Sequence, residues 1–280
     1  MLQAGYYHTL KVNRISDYGL YLADEEGNEV LLPNRYVSLN DAVGDTKRVF
    51  VYHDSENRLI ATTEHPLATA DQAAYLEVID KNIHGAFLAW GITAKDLFVP
   101  IANQPFRMEV GRSYVVYVYR DPVSGRVTGS ARLNRFISNE TITVRPHEAV
   151  DVLVAARFAA GFRVIVNNRH WGVLYDNQLF RPVAIGDRMT AYVSRITPDR
   201  RIDVSFQQQG LDEVKAAADR LLALLGEGGG RLALSDRSTP EAIAAATGMS
   251  KKTFKKALGY LMNHGQACTE GETIKATERL

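Results

Sequence analysis

Up to Phe206 the chain is dominated by short runs in which apolar and polar residues alternate, such as Leu10 and Val12, Tyr114 to Tyr119, and Met189 to Ile196. This two-residue period predicts strands with one buried face, and turn signals such as Glu25-Glu26-Gly27-Asn28 and Asp121-Pro122-Val123-Ser124-Gly125 separate them. The pattern repeats. A first copy runs from Leu10 and Val12 through Tyr18 to Leu22, Val30 to Pro33 and Gly44 to Val49 through Tyr52. A second has Leu76 and Val78, His84 to Leu88, Leu97 to Pro100 and Gly111 to Tyr119. A looser third has Val152 and Val154, Gly161 to Val166, Trp171 to Tyr175 and Gly186 to Ile196. Gly19 and Gly85 are 66 residues apart and Gly44 and Gly111 are 67 apart, whereas Gly111 and Gly186 are 75 apart, so a longer connection precedes the third copy. About five strands per copy suit a small five-stranded barrel of the oligonucleotide-binding type, with a sandwich or an SH3-like barrel as the alternative. Gly19, Gly85 and Gly161, read as mid-strand glycines, predict bulges or sharp bends.

After Phe206 the period becomes helical. Leu211, Val214, Ala218, Leu221, Leu222 and Leu225 make one stripe, which stops at Gly226, Gly228, Gly229 and Gly230 and reads as a connecting helix and a flexible linker. Ser238 or Thr239 then caps a helix with Pro240 at its first position, ending at Gly248. Ser250 caps a second, from Lys251 to about His264, with Phe254, Leu258 and Leu261 buried. A hairpin of Ala267 to Thr269 and Thr273 to Ala276 completes a winged helix-turn-helix. The expected fold is therefore mostly β with a small α+β tail. Its domains are 1–65, 70–138 and 144–208 (barrels), 211–230 (helix and linker) and 231–280 (winged helix).

Composition narrows the function. With 46% hydrophobic and 23% charged residues the chain is ordinary globular material, and no apolar run approaches the roughly 20 residues of a membrane span. The N-terminus has no basic-then-apolar leader and the chain has one cysteine, Cys268, so a cytoplasmic address is expected. Net charge is only +1, but it is unevenly spread: residues 1–70 carry 6 basic and 10 acidic groups, residues 144–210 carry 9 and 6. Any nucleic-acid surface is therefore local and away from the first segment. Scattered histidines without thiolates predict no metal site, no cofactor motif is present, and no nucleophile elbow or catalytic constellation nominates an enzyme.

The three repeats, each built around an aromatic or His, a Gly and then an apolar strand, resemble the RNA-binding S1-type repeat of the largest small-subunit ribosomal protein. With the terminal Ser250-Lys251-Lys252, Phe254-Lys255-Lys256 and Leu258-Gly259 pattern, the order of domains resembles the bacterial conserved virulence factor B family. That resemblance implies an RNA-binding protein acting on gene expression after transcription. Pro33 and Pro100 stand where the S1 pattern has His, and Arg163 stands where it has an aromatic.

Candidate residues follow. Tyr18 and Tyr21, and their counterparts His84 and Phe87, are placed to stack bases; Lys81, Arg132, Arg135 and Arg163 supply positive charge. Lys251, Lys252, Lys255 and Lys256 crowd the start of a helix, where they oppose its dipole, and with Asn263 they suit an anionic partner. Trp90 and Trp171 read as packing residues. The reading is a non-enzymatic binder of single-stranded RNA, with protein partners undefined. The alternatives are a DNA-binding transcription regulator acting through the winged helix, or a protein scaffold on ribosomes or the RNA-degradation machinery.

Overall fold

A computed structural model describes residues 2–179, 182–206 and 211–277. Among these, no helix is long and apolar enough to cross a membrane. The chain forms two compact units, Met1–Val144 with Val150–Thr190 and Ile196–Val204, and Arg145–Ala149 with Ala191–Arg195 and Ser205–Leu280.

The first barrel consists of β1 (Tyr6–Ser16), β2 (Gly19–Ala23), β3 (Glu29–Pro33), β4 (Thr46–His53) and β5 (Leu59–Thr62), closed in the order β1-β2-β3-β5-β4. The second consists of β6 (Gln72–Lys81), β7 (Gly85–Ile92), β8 (Lys95–Pro100), β9 (Ser113–Arg120) and β10 (Val127–Ser130). The third, β11 (Ala149–Phe158), β12 (Gly161–Val166), β13 (His170–Tyr175), β14 (Arg188–Ile196) and β15 (Ile202–Ser205), closes as the first does. In both closed barrels the seam is a parallel pair, Leu31 opposite Ile60 and Gly172 opposite Ile202. The second is near-closed: its ladder runs β10-β9-β6-β7-β8, and β8 and β10 meet through side chains. Gly129 of β10 lies so close to β8 that a methyl group on it would come within 2.7 Å of the Val99 side chain.

The repeated glycines have two physical causes, neither of them a bulge at the glycine itself. Gly19, Gly85 and Gly161 each open a strand, where a Cβ would collide with the carbonyl oxygen of Leu32, Val99 or Leu174 on the neighbouring strand. The bulges lie on the preceding strand instead, between Val12 and Arg14, Val78 and Asp80, and Val154 and Ala156. At each bulge the valine carbonyl accepts a hydrogen bond from the second repeated glycine, Gly44 (2.8 Å), Gly111 (2.8 Å) or Gly186 (2.9 Å). Those three glycines adopt φ of +101°, +78° and +97°, a left-handed turn that a side chain would strain. The bulge and this turn therefore form one unit, copied three times.

Neighbouring barrels share cores. Phe50 and Tyr52 of β4 pack with Trp90, Leu88 and Val99 of the second barrel, and the Trp90 indole donates to the Ala68 carbonyl at 2.7 Å. Val115 and Tyr117 of β9 pack with Leu153 and Ile165 of the third.

The tail contains α1 (Leu211–Glu227), β16 (Arg231–Leu232), α2 (Pro240–Thr247), α3 (Lys251–Asn263), β17 (Ala267–Glu270) and β18 (Thr273–Ala276). Thr239 caps α2 by accepting from Ala242 N (3.2 Å), and Ser250 caps α3 by accepting from Thr253 N (3.2 Å). One expectation needs correction. Ala218, Leu221 and Leu225 of α1 share a core with Ile243, Phe254, Leu258, Leu261 and Ile274, so α1 belongs to the winged-helix domain. The glycines after it close the helix, Gly230 N donating to the Leu225 carbonyl at 2.7 Å, and lead straight into β16; they are a cap rather than a linker. The side chain of Leu211, also assigned to the stripe, lies outside the described residues.

Candidate nucleic-acid interface

The bulge sets one cross-strand pair per barrel beside the glycine: Arg14 with Tyr21, Asp80 with Phe87, and Ala156 with Arg163. These three pairs occupy equivalent places and behave differently.

In the first barrel the Tyr21 ring is covered. The Arg14 guanidinium lies 3.4 Å from its centroid and is pinned by Glu29, Nη2 to Oε2 at 2.9 Å, while Asn13 donates to the same carboxylate at 2.7 Å. Arg14, and then Asn13, hold the Glu29 carboxyl below the usual range. Tyr21 is thus no open stacking platform, contrary to expectation, because the chain's own arginine occupies its face. Tyr18 is 75% exposed.

In the second barrel the expected cluster separates. Phe87 is half-buried against Phe98, ring centroids 5.1 Å apart, with His84 exposed beside it. Lys81 faces a different hollow, with Ile83 and Arg107. Arg132 and Arg135 lie elsewhere again, in a groove where they join Arg163 of the third barrel.

That groove comprises two adjoining hollows of about 580 and 530 Å³, and Ala156, Arg163 and Trp171 line both. The Arg163 guanidinium sits 3.6 Å from the Trp171 ring centroid. Trp171 is half-buried, and its indole nitrogen is buried without a hydrogen-bond partner. Its strand is fixed by Asn139, which accepts from Trp171 N and donates to the carbonyls of Trp171 and Arg200, each at 2.8 Å. The adjacent His170 is fully buried between the Ser138 carbonyl (2.9 Å) and the Thr143 hydroxyl (2.7 Å).

Four arginines of the groove donate to neutral acceptors. Arg132 donates to the carbonyls of Ala102 (2.7 Å) and Gln104 (3.3 Å), Arg135 to Asn103 Oδ1 (3.2 Å), Arg163 to Asn134 Oδ1 (3.4 Å) and Arg200 to the Glu140 carbonyl (3.1 Å). Desolvation lowers the Arg163 pKa from its usual value. Arg157 and Arg201, also in the lining, are paired with Asp176 and Asp203. Asp199 is the carboxylate among the lining residues. Such a surface attracts polyanions and offers a flat ring with a stacked guanidinium, the two elements that hold unpaired bases and their phosphates.

In the tail, Lys252, Lys255, Lys256 and Asn263 are exposed on α3 and Lys251 is half-buried. Lys252, Lys256, Gly259 and Asn263 follow one line along the helix, and a Cβ on Gly259 would meet nothing within 4 Å. Lys255 stands 4.0 Å from the Asp236 carboxylate.

Trp171, read as packing, does pack half-buried against the core of Tyr117, Leu153 and Ile165, and it also carries Arg163 on its ring; sequence reasoning did not place it, Arg157, Arg200 or Arg201 at a groove. Trp90, read the same way, is a core residue, 1% exposed. The excess of basic residues in 144–210 was the available signal for the others.

Comparison with known proteins agrees with this architecture. The family described as the S1 domain matches residues 4–64, and the CvfB-like winged helix domain matches residues 219–275. The Bacillus subtilis protein YitL is 25% identical over 96% of this chain and 92% of its own. Conserved virulence factor B of Staphylococcus aureus strain MRSA252 is 22% identical over 85% and 81%. A multidomain protein with nucleic acid binding domains from Streptococcus pneumoniae, known from a crystal structure, is 22% identical over 98% of each chain, with a TM-score of 0.41.

Proposed function

We propose that the chain is a member of the conserved virulence factor B family, which its winged helix domain and its full-length relatives resemble, and that it is a non-enzymatic binder of single-stranded RNA that acts on gene expression after transcription. The domains matched are of nucleic-acid-binding type. The observation that carries the finer reading is the Arg163–Trp171 stack, flanked by Arg132 and Arg135, in the groove of the second and third barrels.

The arginines meet backbone phosphates, and a base stacks on the outer face of the Arg163 guanidinium, whose inner face lies on Trp171 and which no carboxylate among the described residues neutralises. Each such stack contributes about 1 to 3 kcal/mol and tolerates any base, because every base has a π face. A duplex keeps its bases stacked and hidden, so the groove selects unpaired strands. The row of Lys252, Lys256 and Asn263 on α3 supplies a separate cationic contact, and its open face at Gly259 also supports a second reading in which this helix meets duplex DNA.

The chain has two tryptophans, Trp90 being buried, so the part of an emission change that disappears in Trp171→Phe reports Trp171. Titration with an unstructured RNA is expected to quench emission, with weaker effects from DNA of the same sequence and from duplexes. Trp171→Phe should remove the signal. Equal affinity for duplex DNA, retained in Trp171→Ala and lost in Lys252→Ala/Lys256→Ala, would replace this reading with the second.

A further inference from the structure

A second cavity, of about 410 Å³, lies where the first and second barrels meet and has no residue in common with the arginine groove. Its size falls within the range of small-molecule sites. The buried rings of Tyr52 and Trp90 are among its lining residues, and so are Phe87 and Phe98, cross-strand neighbours on β7 and β8 whose planes are tilted by 43°. Phe87 therefore walls a pocket instead of standing free on a platform.

The polar lining is small and mostly basic. It consists of Lys95 and Arg126 with His53, His84, Asn82 and Thr128, and Asp96 as the lining carboxylate. Arg126 Nε donates to Asn57 Oδ1 of the first barrel at 2.6 Å, which fixes the guanidinium across the seam. The His53 Nδ1 atom is buried without a partner. Burial first, and then Arg126, lower the Lys95 pKa; burial, then Arg126 and Lys95, lower that of His53. Burial raises Asp96, and Lys95 lowers it while Asp80 raises it further. Asp54, which Lys95 and His53 also sense, is engaged by Arg58 at 2.8 Å. The cavity thus combines flat aromatic walls, two basic side chains of which Arg126 is held in place, and an imidazole nitrogen without a hydrogen-bond partner.

We infer that this cavity binds a nucleoside monophosphate, its base against Phe87 and Phe98 and its phosphomonoester toward Lys95 and Arg126. The choice of a nucleotide over other aromatic anions rests on the reading of the chain as a nucleic-acid binder. The same chemistry is presented by a free nucleotide and by the phosphorylated end of a strand.

The test titrates the full chain with uridine and adenosine 5′-monophosphates and with the unphosphorylated nucleosides, by calorimetry. The monophosphates are expected to bind at least about tenfold more tightly than the nucleosides, as charge-assisted bonds to two cations require. Lys95→Gln and Arg126→Gln should each remove most of that difference with an unchanged melting temperature. Trp171→Ala should leave it intact, which separates this site from the groove: loss of long-strand binding there says nothing against the cavity. Displacement of bound nucleotide by 5′-phosphorylated RNA, but not by hydroxyl-ended RNA, assigns the site to strand ends; failure of both to displace assigns it to free nucleotide. Nucleosides binding as well as monophosphates, or folded Lys95→Gln and Arg126→Gln variants that bind as the parent does, would overturn the proposal.

Discussion

The first and third barrels share strand order, bulge and glycine positions, yet they present opposite surfaces at the same place. In the first, an arginine lies on a tyrosine and a glutamate neutralises it. In the third, the arginine has moved to the aromatic's own position, lies on a tryptophan from the next strand and donates to an amide. The barrel is indifferent to which arrangement it carries, because both sit on the outer side of a bulge whose geometry is set by backbone bonds. The difference shows that a repeat's capacity to bind depends less on having an aromatic ring than on whether the ring and its cation are already satisfied within the chain.

Four experiments bear on that contrast. The largest effect is expected where the two barrels are alike: Gly19→Ala and Gly161→Ala each drive a Cβ into a facing carbonyl and should cost more than about 3 kcal/mol in urea unfolding. A Gly161→Ala protein as stable as the parent would mean that the third repeat is not built as the first is. Next, Trp171→Ala should weaken binding to unstructured RNA by about 1 to 3 kcal/mol, roughly 5- to 150-fold, whereas Tyr21→Ala should change it less than about twofold. Equal losses would erase the distinction between the barrels.

A smaller effect, about tenfold near physiological salt, is expected from replacing Arg132, Arg135 and Arg163 together by Ala. The slope of log affinity against log salt should become shallower by about 2, since three phosphate contacts release counterions, while Arg14→Ala should leave the slope unchanged. The smallest concerns the Glu29 clamp. Its folded pKa is depressed, so the interaction is fully present above the unfolded carboxylate value of about 4.3 and is lost as pH falls through the folded value. Carboxyl NMR should show Glu29 titrating below ordinary glutamates, and this depression should shrink in Arg14→Ala to the part that Asn13 maintains. Glu29→Gln should free Arg14 and raise RNA affinity about twofold at pH 7, with the sign as the decisive reading.

The barrels and the winged helix were legible in the sequence because alternation, turn residues and helix caps are local signals. The offset of Gly19 to Gly85 revealed the repeat, although it could not tell a bulge from a close backbone approach; that needed the neighbouring strand. The glycines after Leu225 were misread for a similar reason. A cap and a linker have the same composition, and only the packing of Leu221 and Leu225 against Phe254 and Leu258 distinguishes them. The residues of the candidate groove were harder still. Arg132 and Arg163 were recognised one at a time as cations, but their meeting depends on how consecutive barrels pack, and Trp171 looked like any other strand tryptophan until Arg163 was found above it.

Because β8 and β10 meet through side chains instead of a ladder, the second barrel is the repeat least able to mature alone. Phe50 and Tyr52, made before it during synthesis, complete its core from one side, and Leu153 and Ile165, made after it, pack against its other flank. Chains fold from the N-terminus as they emerge, so the first barrel is ready as a template, while the flank awaiting the third stays uncovered until roughly thirty further residues have been added. During that interval the apolar flank of Val115 and Tyr117 is open to contact with another nascent chain. Translation speed through the third repeat is therefore a determinant of yield, and slow codons between Ile137 and Ile165 would be expected to favour aggregation over assembly.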